Sequence, residues 1–145
     1  MKYSLDTNVI ISHFKGDRFS DQTDRFFAWM KDQGNKMFIA DIVYAELYTG
    51  VCLSGNPSLE EKRIQRFLAV NEIDVKYSSS STMKRSGELY AEYLLRNSRR
   101  TIKRILPDFM VGAHSEQHSN VLITWNPPDY HLKIEVMTPE EAMEA

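Results

Sequence analysis

The chain has 145 residues, of which 42% are hydrophobic and 26% charged, with a net charge of −2. That length supports one domain, over residues 1–145, with a sizeable core, and the composition is that of a globular protein. No apolar run approaches the roughly 20 residues that a membrane-spanning helix needs, and the slight negative charge argues against nucleic-acid binding by the surface as a whole.

Cys52 is the only cysteine, which excludes an intrachain disulfide and a thiolate zinc cluster. It reads as buried, inert filler. The first residues carry no signal-peptide core, because Asp6 and Asn8 interrupt it. A cytoplasmic location is the expectation.

Alternating β and α elements are predicted along the chain. Lys2–Leu5 reads as a short strand, with Tyr3 and Leu5 on one face. Asn8–Phe14 reads as a short helix closed by Gly16. Asp21–Lys31 is a second helix, with Ser20 as candidate N-cap and Phe26, Phe27 and Met30 inward. Met37–Ala40 is the second strand. Asp41 then caps a helix carrying Val43, Leu47 and Val51. Ser58-Leu59-Glu60-Glu61 fits a capping box, and the helix behind it presents Ile64, Phe67 and Leu68.

Glu72–Val75 alternates polar and apolar, as a strand burying Ile73 and Val75 does. Ser78–Ser81 reads as a polar loop. A helix over Thr82–Arg96 is predicted to bury Met83, Gly87, Tyr90 and Leu94. Asp108–His118 is another helix, with Pro107 suited to its first turn. Val121–Thr124 and Ile134–Met137 are strands, and Thr138 with Pro139, Glu140 and Glu141 opens a terminal helix. Strands alternating with helices predict a parallel sheet covered on both faces.

In an open parallel sheet, sites form at the carboxyl ends of the strands. Asp6 follows the first strand and Asn126 follows Val121–Thr124. Asp108 falls in a first helical turn, and Glu46 about a turn and a half into the helix after the second strand. Four segments are thus predicted to converge on one edge. Two carboxylates ~4 Å apart repel by about 4 kcal/mol at an effective dielectric of 20. Three together would cost several kcal/mol of a total stability of about 5–15 kcal/mol. A hard divalent cation with oxygen ligands, Mg²⁺ or Mn²⁺, converts that repulsion into attraction.

The competing structural explanations are local. Asp6 could simply cap the next helix, Asp108 could complement a helix dipole, and Asp129 could cap a turn. Glu46 resists such an explanation, since Ile42 and Gly50 lie one turn away and no cation neutralises it. Arg96, Arg99, Arg100, Lys103 and Arg104 form a cationic run leading to Asp108. It reads either as a solvated helix end or as a phosphate rail for RNA. His114 and His118 have helical metal-ligand spacing, but His-Glu-x-x-His is absent, and His118 lies about 15 Å along the helix from Asp108. Zinc is therefore not expected.

Four motifs in order resemble those of PIN-domain ribonucleases. They are Leu5-Asp6-Thr7-Asn8; Tyr44 to Gly50 around Glu46; Pro107 to His114 around Asp108; and Leu122-Ile123-Thr124-Trp125-Asn126 with Asp129-Tyr130. The nearest type is similar to the VapC toxins of toxin–antitoxin pairs. The resemblance implies a Rossmann-like three-layer α/β/α sandwich with a short, mostly parallel sheet. It implies a metal-dependent endoribonuclease using Mg²⁺ or Mn²⁺, with Asp6, Glu46 and Asp108 as the acidic triad.

Asn126 falls on the fourth catalytic and metal position, and Asp129 on a further acidic one. Thr7 and Thr124 would supply hydroxyls, and Asn8 would brace the loop. A homodimer and an antitoxin partner are implied as well. Trp125 departs from the polar or basic residue usual there. It either stacks an RNA base, worth about 1–3 kcal/mol, or packs. The alternative function is a non-catalytic PIN-fold module that binds RNA or protein.

Overall fold

The computed structural model describes residues 1–145. Five strands, β1 (Lys2–Leu5), β2 (Lys36–Ala40), β3 (Ile73–Lys76), β4 (Val121–Ile123) and β5 (Glu135–Met137), form one sheet in the order β3-β2-β1-β4-β5. Every neighbouring pair is parallel. Parallel strands require crossovers; helix pairs supply the first three, the segment with the 3₁₀ turn Pro127–Asp129 joins β4 to β5, and a seventh helix follows β5. The helices are α1 (Thr7–Lys15), α2 (Ser20–Gln33), α3 (Asp41–Leu53), α4 (Pro57–Val70), α5 (Ser80–Arg96), α6 (Leu106–His118) and α7 (Pro139–Glu144). The architecture is the three-layer α/β/α sandwich expected.

The central strands are buried on both faces, so they read as apolar runs rather than alternations. Met37, Phe38, Ile39 and Ala40 are all buried, as are Val121, Leu122 and Ile123. One large core cluster joins these strands to Val9 and Ile10 of α1, Phe26, Phe27 and Met30 of α2, Val43 and Leu47 of α3, and Phe67 of α4. A smaller cluster of Leu89, Phe109 and Ala113 joins α5 to α6.

The topology positions the site. From β1 the chain moves outward through β2 and β3, then returns to add β4 and β5 on the other side. The strand order therefore reverses between β1 and β4. A crevice opens there at the carboxyl ends of the strands, and Asp6 and Thr124 are the residues that follow those two strands.

Several local expectations differ. Ser20 lies inside α2, whose N-cap is Phe19. Asn56, not Ser58, caps α4, and its side chain accepts from the Leu59 N–H at 3.2 Å. Ser79 caps α5, so the helix absorbs part of the predicted loop. The buried face of α5 is Thr82, Ser86 and Leu89, while Met83 and Leu94 are exposed. Small hydroxyl residues can be buried there because each finds an acceptor. Ser86 Oγ donates to the Thr82 carbonyl at 2.8 Å, and Thr82 Oγ1 donates to Gln117 Oε1. Cys52 is exposed, not buried filler.

Candidate active site

Asp6 ends β1 and caps α1 in extended conformation. Its Oδ1 accepts from the Thr7 N–H at 2.7 Å, and its Oδ2 accepts from Thr124 Oγ1 and from the Tyr130 hydroxyl, both at 2.9 Å. Burial pushes the Asp6 carboxyl above the usual carboxylate range. The three hydrogen bonds oppose that shift, and the charge of Asp108 adds to it.

Glu46 projects from α3, and Thr7 Oγ1 donates to its Oε1 at 3.0 Å. Its carboxyl is also raised, by burial first and then by the charges of Asp6 and Asp108, against the Thr7 hydrogen bond. Asp108 stands in the first turn of α6. Its Oδ2 accepts from the Ile105 N–H at 3.0 Å and lies 4.0 Å from Arg104 Nε. The capping explanations for Asp6 and Asp108 therefore hold, and both residues also act on each other electrostatically.

Around this triad runs a frame of uncharged groups. Thr124 Oγ1 accepts from Asn8 Nδ2 at 3.2 Å and from the Asn126 N–H at 3.1 Å. Asn8 Oδ1 accepts from the Trp125 N–H at 3.2 Å. Asn126 meets this frame through its backbone, and its exposed side chain bonds to nothing in the protein. Asp129 is exposed in a 3₁₀ turn (Pro127–Asp129).

Trp125 packs rather than facing solvent as a free platform. Phe19 stacks on it at 4.4 Å and 15°, and its indole N–H donates to Thr23 Oγ1 at 3.1 Å.

The cationic run divides. Arg96, Arg99, Arg100 and Lys103 are exposed, and the side chains of Arg99, Arg100 and Lys103 make no hydrogen bond or ion pair. Arg104 instead turns inward. Its guanidinium lies 4.6 Å from the Phe109 ring and 5.1 Å from the Tyr130 ring, and it donates to the Asp129 carbonyl. A cavity of about 100 Å³ beside Asp108 is lined by Arg96, Arg104, Asp129 and Tyr130 among others.

Tyr130 is the participant that the sequence assigned no role. It lies in an irregular segment with no periodic signal, and its contact with Asp6 spans 124 residues. Burial and the neighbouring Asp6 charge raise its phenol far above the ordinary tyrosine range.

The donor set of Asp6, Glu46 and Asp108 suits a hard divalent cation, because all three offer carboxylate oxygens and two are destabilised as anions. As placed, no three headgroups form a closed cage for an ion. The fit lies in charge and chemistry.

The PIN domain family profile matches residues 3–127, and the chain belongs to that family. No curated protein sequence matches it. Among solved structures, VapBC2 from Rickettsia felis bound to a promoter DNA fragment is similar at 20% identity and TM-score 0.76, with 94% of this chain and 97% of that one covered. VapBC-1 from nontypeable Haemophilus influenzae is similar at 22% identity and TM-score 0.75, covering 97% and 99%. A toxin–antitoxin complex from Klebsiella pneumoniae is similar at 25% identity and TM-score 0.67, covering 94% and 97%.

Proposed function

We propose that this chain is a metal-dependent endoribonuclease that hydrolyses RNA phosphodiester bonds and serves as the toxin of a toxin–antitoxin pair. One observation carries the reading. Carboxylates from three separate segments meet at the strand-order reversal of a PIN fold, where burial and the Asp108 charge raise Asp6, and burial with the charges of Asp6 and Asp108 raises Glu46. Asp6, Glu46 and Asp108 would hold Mg²⁺ or Mn²⁺, with Asn126 and Asp129 at the rim. Such an ion lowers the pKa of a bound water and steadies charge on a phosphate.

The protein's own groups do the rest. Thr124 and Tyr130 orient Asp6, Thr7 orients Glu46, and the Ile105 N–H orients Asp108. Arg96, Arg99, Arg100 and Lys103 offer charge to an RNA backbone beside Asp108. The similar VapBC complexes support an antitoxin protein as partner. Exposed Met83, Leu94 and Leu95 on α5, continued by Ile105 and Leu106, support a homodimer. No helix is long and apolar enough to cross a membrane, in keeping with a cytoplasmic site of action.

The test is incubation with structured and unstructured RNAs in Mn²⁺, Mg²⁺ or EDTA. Cleavage is expected with the metals, and cleavage persisting in EDTA overturns the mechanism. The absence of a closed three-headgroup cage favours a second reading, a non-catalytic RNA-binding module. That reading requires RNA to be bound yet left intact with either metal.

A further inference from the structure

We propose that Tyr130 is a positioning residue that grips Asp6 by its Oδ2 edge and leaves a single Oδ1 lone pair to face a divalent cation. The proposal rests on the reading of Asp6 as a metal ligand. A carboxylate has about four acceptor sites. Oδ2 is filled by Thr124 Oγ1 and the Tyr130 hydroxyl, each at 2.9 Å, and Oδ1 has one site taken by the Thr7 N–H at 2.7 Å. The Thr124 proton has nowhere else to go, because its oxygen already accepts from Asn8 Nδ2 and the Asn126 N–H. The count therefore closes on one open site, and Asp6 is set to bind through one oxygen.

Tyr130 can do this because the segment carrying it is fastened to α6. Arg104 lies over its ring and donates to the Asp129 carbonyl. The Lys133 N–H donates to Glu116 Oε1 at 3.1 Å. Gly112 supplies the seat. A Cβ there would stand 3.0 Å from Leu132 Cδ2 and 3.6 Å from Tyr130 Cδ1.

The test uses the full chain with Tyr130→Phe, which keeps the ring and removes only the hydroxyl. In EDTA, a double-mutant cycle with Asp6→Ala isolates the Tyr130–Asp6 contact. Tyr130→Phe should shift the unfolding equilibrium about tenfold in the wild-type background, and much less beside Asp6→Ala. Mn²⁺ binding is then measured by electron paramagnetic resonance. Loss of an outer partner of a metal ligand typically weakens affinity by about 10–100-fold, so Tyr130→Phe should bind Mn²⁺ at least about tenfold more weakly. Saturating Mn²⁺ should restore its cleavage rate, and circular dichroism should show the variant fully folded without metal at the temperature of the binding measurement, which separates weaker binding from a general loosening of the fold.

Absence of coupling in the cycle overturns the contact. Coupling with unchanged or tighter Mn²⁺ binding overturns the positioning role. If the wild-type chain itself binds no Mn²⁺, the metal reading falls and takes this proposal with it. That outcome is distinguishable because it appears without any substitution.

Discussion

Helix α6 carries Asp108 in its first turn, beside Asp6 and Glu46, and His114 and His118 toward its end, their rings 4.4 Å apart. Burial moves groups at both ends toward their neutral forms. Asp6 and Glu46 are raised, whereas the two histidines are lowered, by burial first. The difference is in what would relieve each end. At the acidic end Asp6 accepts three hydrogen bonds and Glu46 and Asp108 one each, and the unmet demand is for positive charge. At the histidine end, His114 Nε2 meets the Lys76 carbonyl at 2.7 Å, but His114 Nδ1 and His118 Nε2 are buried without partners. The acidic end lacks positive charge, whereas the histidine end lacks hydrogen-bond partners. One helix thus separates crowded carboxylates from unpaired neutral rings.

Substitutions can break that contrast. The largest effect is expected for Asp108→Asn. A metal ion supplies several kcal/mol to the transition state, so RNA cleavage should fall on the order of 10³-fold. The thermal midpoint should move little, because the side chain has one hydrogen bond and one 4.0 Å ion pair. At the other end, His114→Ala should leave the cleavage rate per folded molecule intact. It should cost about 2–4 kcal/mol in urea denaturation, as a fully buried ring is replaced by a cavity. A substantial loss of cleavage in folded His114→Ala protein would erase the contrast.

Metal and pH sharpen it. At neutral pH, Mg²⁺ at a hundredfold excess over its dissociation constant should add about 2.7 kcal/mol, or about 5–10 °C in melting temperature. Calorimetry should show that gain shrinking as the pH falls, because protons on the raised Asp6 and Glu46 carboxyls compete with the cation. The pH dependence without metal runs in two directions. The lowered histidines stabilise the fold above their unfolded value of about 6.5. That contribution falls away as the pH drops below it, because the unfolded chain then binds more protons.

The raised carboxyls act oppositely. The folded chain takes up their protons more readily, so acidification relieves their repulsion. In metal-free melts from pH 7.5 to 5.5, the two effects oppose each other, and His118→Gln should shift the balance toward greater stability at the acidic end than in the wild type. The smallest effect is expected for Gly112→Ala. Removing a helical glycine gains about 1 kcal/mol, while the flexible end of Leu132 must yield a few tenths of an ångström. The net change in urea denaturation should stay below about 1 kcal/mol.

The sequence revealed most where the signal was local or periodic. The strands, the closing Gly16 and the Thr138 N-cap depend on neighbours within a few residues. Asp6, Glu46 and Asp108 were legible from motif order, and the structure puts them in electrostatic contact. The buried face of α5 was missed because hydroxyl side chains took positions that apolar periodicity reserves for larger ones. Arg104 was grouped with its exposed neighbours, since nothing nearby in sequence reveals the Phe109 and Tyr130 rings that hold it. Tyr130 was silent for the same reason. Its meaning depends on a residue at the opposite end of the chain.

That span has a consequence for synthesis on the ribosome. The middle strand β1 emerges first, yet one of its two neighbours, β4, pairs Tyr3 with Val121. The groups that hold Asp6 are translated later still, at Thr124 and Tyr130. A nascent chain can bury part of its core early, but it cannot assemble this edge of the sheet until the chain has been made through Tyr130. A ribosome stalled before that point carries Asp6 without the hydroxyl that holds it.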